Sequence, residues 1–139
     1  METIASEILV FRSELDNKDR KFRIEKIKNT LEAKQEIVKG YIEKNTSFTE
    51  SELYHQESGI DCFDVYANEE ALYDEAVPFV QISRKGEVLC IVAGDFFIVG
   101  VKGENHVDFD PNLVIDKFQF QILDSSNENY AKFRSENGL

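Results

Sequence analysis

The fold turns on residues 2–44, ETIASEILVFRSELDNKDRKFRIEKIKNTLEAKQEIVKGYIEK. Ile4, Ile8, Phe11 and Leu15 recur at spacings of three and four, and Phe22, Ile27, Leu31, Val38 and Tyr41 continue a stripe of that period with Lys, Glu and Arg between them. Such a pattern lines apolar side chains along one side of a helix. No Gly or Pro occurs before Gly40. Asp16-Asn17-Lys18-Asp19 marks a break, because Asp and Asn serve well as N-caps and the stripe loses phase there. The reading predicts a helix over about 2–15 and a longer one over about 18–44, or one kinked helix, stopping near Gly40.

Beyond this stretch, Thr49-Glu50-Ser51-Glu52 matches a capping box and predicts a short helix closed by Ser58-Gly59. The period then changes. Phe63, Val65 and Ala67 alternate with Cys62, Asp64 and Tyr66, and 79–83, 87–93, 96–101, 106–109 and 118–123 are short β-favouring runs. Arg84-Lys85-Gly86, Gly94-Asp95 and Lys102-Gly103-Glu104-Asn105 read as hairpin connections, and Asp110-Pro111 as the start of one helical turn through Asp116. The expected fold class is α+β: N-terminal helices packed on an antiparallel β-meander of about five strands, in one domain over 1–139. Its parts are a helical layer (1–44), a short helix and loop (45–59), a sheet (60–123) and a C-terminal short helix or tail (124–139).

Charge is unevenly laid out within a net −11. Residues 1–44 hold ten bases against nine acids, whereas 45–139 hold six against eighteen, and no base occurs between Lys44 and Arg84. A field of that sign repels nucleic-acid phosphate and anionic membrane, so neither direct nucleic-acid binding nor membrane binding is expected. Acid surplus also keeps small proteins soluble, which is the plainer use of it. No run approaches the roughly 20 apolar residues of a membrane span, and Met-Glu-Thr-Ile is no signal peptide. With two cysteines, Cys62 and Cys90, in apolar strand-like contexts, a cytoplasmic protein with free thiols is expected.

Few residues suggest chemistry. On a strand, His106, Asp108 and Asp110 would share the face opposite Val107 and Phe109, a row that could take a divalent cation or supply an acid and a base. Three groups on one strand are few for a metal site, and the plain alternative is an exposed polar face with Asp110 as a helix cap. Cys90 sits among Val88, Leu89, Ile91 and Val92, where a thiol is inert, and His55 lies near a helix end. Gly94, Gly100 and Gly103 lack phosphate-binding spacing, and no cofactor is expected.

Gln56-Glu57-Ser58, ahead of acidic residues and a run of strands, resembles the acidic-serine segment of uracil-DNA glycosylase inhibitors, small acidic helix-and-sheet proteins. Three residues and an order of elements carry the resemblance; Gly59 stands where that family has an apolar residue, and no membership follows.

The leading functional expectation is a non-enzymatic acidic binding protein, an inhibitor, immunity or host-takeover factor meeting a basic protein partner through Glu57, Asp61, Asp64, Glu69, Glu70, Asp74 and Glu75. The alternative is a small-ligand binder or enzyme with a polar site around His106 and Asp108, helped by Tyr66 or Tyr73. A homodimer through the N-terminal helices is a third arrangement.

Overall fold

In the computed structural model, which describes residues 6–15, 21–48, 62–68, 70–71, 78–84, 86–108, 118–123 and 128–136, the leading stretch is mostly strand. Strand β1 (Glu7–Glu14) pairs antiparallel with β2 (Lys21–Lys28), in a register that sets Ile8 against Ile27 and Phe11 against Ile24. The helical stripe misled because β1 is covered on both faces. Ile8 and Val10, each 0% exposed, point to one side, and Phe11, Ser13 and Leu15 to the other, so the strand shows no simple alternation. Only Leu31–Val38 within 21–48 is helical (α1), started by Thr30, whose side chain accepts from the Ala33 amide, and stopped by Lys39 in the left-handed region at φ 60°.

Strands β3 (Ile42–Phe48), β4 (Cys62–Asn68), β5 (Phe79–Arg84), β6 (Glu87–Ala93), β7 (Phe96–Lys102), β8 (Asn105–Val107) and β9 (Gln119–Leu123) follow, then helix α2 (Glu128–Glu136). They form two sheets rather than a meander. One runs β2-β1-β7-β4-β3 with β8 also on β7; the other runs β6-β5-β9. Gly100 and Val101 of β7 pair with both β4 and β8, so β8 shares with β1 the edge of β7 that faces away from β4.

The expected α+β fold of N-terminal helices on a five-stranded meander is therefore replaced by a mainly antiparallel β structure, with α1 as a short cover. The apolar Phe, Ile and Val of the first third go into sheet, where both surfaces of a central strand can be buried. Gly94-Asp95 also departs from expectation. It is not a hairpin but the corner where the chain passes from β6 in the small sheet to β7 in the large one. Gly94 takes φ 73°, which a residue with Cβ adopts only at a cost, and its amide donates to Pro78 O at 2.9 Å. Asp95 Oδ1 accepts from Ser13 Oγ (3.0 Å) and the Leu15 amide (2.8 Å), while Ser13 Oγ accepts from the Phe96 amide, which ties the corner to β1.

Two apolar cores flank the large sheet. Between the sheets, Phe11, Phe63, Val65, Phe96 and Ile98 meet Val80, Ile82, Val92 and Phe118. Phe11, Phe22, Phe96 and Phe120 form an aromatic cluster there, with centroids 4.8–6.2 Å apart. On the opposite surface, Ile8, Val10, Ile27, Phe97 and Val99 meet Ile37 and Val38 of α1. Helix α2 touches the far side of the small sheet, where Tyr130 stacks on Phe79 at 5.0 Å.

Candidate functional site

The surface beneath α1 carries polar groups beside its apolar core. Cys62, Asp64 and Tyr66 alternate along β4 and so share one face, and β7 sets them against Val101, Val99 and Phe97. His106 of β8 pairs with Val101 from the other side of β7, which brings it into the same row. The Tyr66 ring stacks on Phe97 at 5.3 Å and reaches across β7 to His106, also at 5.3 Å.

The hydrogen bonds set the direction of this row. The Tyr66 hydroxyl donates its single proton to Asp64 Oδ2 at 3.1 Å, so toward His106 Nε2, also at 3.1 Å, it is the acceptor. Nε2 therefore bears the imidazole proton, and Nδ1 is left as a bare lone pair, buried and with no hydrogen-bond partner among the described residues. The Cys62 thiol donates to Asp64 Oδ1 at 3.7 Å. From the helix, buried Lys34 donates to Asn29 Oδ1 at 2.8 Å, and Asn29 Nδ2 donates to the His106 carbonyl at 3.4 Å.

Burial governs the protonation of the row. It pushes His106 down to about 4, helped by the Lys34 charge and opposed by Asp64. It pushes Tyr66 up to about 12, with neighbouring Asp64 adding to the effect through charge and hydrogen bond. Lys34 is lowered by burial. A neutral imidazole and a neutral phenol result near pH 7. Burial pushes the Cys90 thiol up to about 11, which disfavours the reactive thiolate.

The residues expected to act together are dispersed. His106 turns to Tyr66, but exposed Asp108 accepts the Leu9 amide at 2.7 Å, supplying an acceptor where β1 leaves β7 and β8 takes its place. Asp110, His55 and Tyr73 lie outside the described residues. Among the described residues no group of three or more His, Cys, Asp or Glu could hold a metal ion. Of the acidic set, Asp64 is 6% exposed and faces the row, not solvent. Glu70 is exposed, its amide donating to Asn68 Oδ1 at 2.8 Å. Glu57, Asp61, Glu69, Asp74 and Glu75 lie outside the described residues.

Sequence reasoning missed Lys34 and Asn29, which look like ordinary solvated helix residues. The alternation of Cys62, Asp64 and Tyr66 did signal a shared face, though nothing in the sequence joined it to His106.

The comparisons with known proteins add one match. A family model described as a domain of unknown function, DUF3846, matches residues 14–122. No curated protein and no solved structure matches. Nothing in these findings supports an inhibitor or immunity role, and that narrower expectation is withdrawn. Among the described residues no helix is long and apolar enough to cross a membrane.

Proposed function

This chain belongs to the DUF3846 family, and we propose that it is a non-enzymatic binding protein that meets a basic protein partner through its acidic surface. One observation carries the reading. Of the seven acids in 45–139 whose burial the structure describes, Asp64 and Asp95 are buried and Glu70, Glu87, Glu104, Asp108 and Glu136 are exposed, in a stretch whose sequence holds eighteen acids against six bases. A surplus of that size attracts a positively charged surface and speeds encounter. Glu70 stands in that surplus; Asp64 does not, being committed to Tyr66. That neither Cys62 nor Cys90 stands in a disulfide accords with a cytoplasmic setting.

The test is capture from the native cell at low salt, followed by affinity measurement with the purified partner at rising ionic strength. The expected partner is basic, and its affinity falls steeply with salt. A partner of neutral or acidic surface, or an affinity indifferent to salt, overturns the reading.

A second reading, a small-ligand or proton-handling site at His106, is favoured by the bare Nδ1 lone pair alone. A ligand that donates a hydrogen bond there should raise the melting temperature of the wild type and not of His106→Leu. Equal shifts in both proteins remove it.

A further inference from the structure

Among the described residues strand β2 pairs with β1 on one side and ends the large sheet on the other. Five of its side chains are open to solvent: Lys21, Arg23, Lys26 and Lys28 are exposed, and Ile24 is 38% exposed. Helix α1 shares a core with its buried Ile27. Between them runs a groove of about 730 Å³, walled by Glu25, Lys26 and Lys28 on the strand and Glu32 and Glu36 on the helix. A strand that ends a sheet among the described residues is a template for another strand.

We propose that β2 pairs antiparallel with β2 of a second copy of this chain, about a two-fold axis at Ile24, joining two large sheets into one. In the sequence Lys21-Phe22-Arg23-Ile24-Glu25-Lys26-Ile27, Arg23 and Glu25 flank that residue with opposite charges. The pairing sets Ile24 against its own copy, Arg23 against Glu25 and Glu25 against Arg23, Phe22 against Lys26, and Lys21 against Ile27. Opposed charges stabilise a cross-strand pair and like charges destabilise it. The lysine stems lie over apolar side chains, as long cationic residues do at interfaces.

Neighbouring registers fail. An axis between two residues would oppose side chains that point to different faces of the sheet. An axis on Arg23 or on Glu25 sets that residue against itself. Within one chain Arg23 already contacts Glu14 and Glu25, and Arg12 contacts Glu25 at 2.9 Å, so the charged groups are held near the edge before a partner arrives. The N-terminal helices once expected to pair are replaced here by a strand edge. This inference does not rest on the basic-partner reading. Its salt dependence has the opposite sign, because screening the net −11 on each copy favours association.

Sedimentation of the full chain tests it, with Arg23→Glu and Glu25→Arg made separately and checked for native circular dichroism. The wild type should be a dimer strengthened by moderate salt. Each variant alone faces like charges and should dimerise about tenfold or more weakly, whereas an equimolar mixture restores opposed charges in a heterodimer. In a further arm, Ile24→Cys should form a disulfide-linked dimer on mild oxidation and wild type should not, since opposed Cα atoms about 4.5–5.5 Å apart suit a disulfide. A monomeric wild type, a dimer indifferent to both reversals, or a mixture that fails to recover each overturns the proposal.

Discussion

The two faces of the large sheet are built on the same strands yet differ in kind. Toward the small sheet the surface is nearly all apolar and aromatic, with Phe11, Phe22 and Phe96 meeting Phe118 and Phe120. Toward α1, apolar Ile8, Val10, Phe97 and Val99 share the surface with Asp64, Tyr66, His106 and Lys34. Strand β7 shows the division within consecutive residues: Phe96 and Ile98 enter the inter-sheet core, Phe97 and Val99 the core under the helix. An eight-residue helix covers less area than a three-stranded sheet, so polar groups persist at its margin and satisfy one another. Stability resides mainly in the first face, and the capacity for chemistry in the second.

The largest effect should come from the inter-sheet face. Phe96→Ala removes a ring that is 0% exposed and touches Phe22 and Phe120, and should cost about 3–5 kcal/mol by chemical denaturation. A loss below about 1 kcal/mol would mean that this core does not dominate. Next comes the corner where the two sheets meet. Asp95→Ala strips the acceptor from Ser13 and from the Leu15 amide and should cost about 2–3 kcal/mol in the same measurement.

On the helix side, pH supplies the probe. His106 sits at about 4 in the folded chain and at its ordinary value of 6.5 when unfolded, so between these values the unfolded state binds more protons. Its contribution is present above pH 6.5 and is lost as pH falls toward 4, at no more than about 1.4 kcal/mol per pH unit. Denaturation curves across that window should slope for the wild type, and the slope should lessen in His106→Leu. The smallest effect is expected from Tyr66→Phe, about 1 kcal/mol, because the hydroxyl is lost while the stacking on Phe97 remains. In that variant the imidazole NMR signals of His106 should also change, since Nε2 loses its partner.

The small sheet and the runs around it were legible because their strands are brief, rich in Val, Ile and Phe, and punctuated by Gly86 and Gly103, which take positive φ at turns. The first third was not. Ile4, Ile8, Phe11 and Leu15 fit a helix, but Ile8 and Phe11 end on opposite sides of a strand, a distinction that depends on covers contributed by α1 and by residues near 80, 92 and 118. The site was half legible. Alternation placed Asp64 and Tyr66 on one face of β4, yet their link to His106 and Lys34 spans elements far apart in the chain.

Composition alone determined the sign and unevenness of the charge, the local strand and turn preferences of 62–123, and the apolar chain neighbours of Cys90. Tertiary structure decided that Glu7–Glu14 and Lys21–Lys28 are strands, that Asp64 is buried beside Tyr66 and that β2 ends the large sheet among the described residues. The reason is physical. Propensity and charge belong to a residue and its neighbours, whereas burial of a strand on one face or two, and the partner of a buried polar group, belong to surfaces that exist only once distant segments have met.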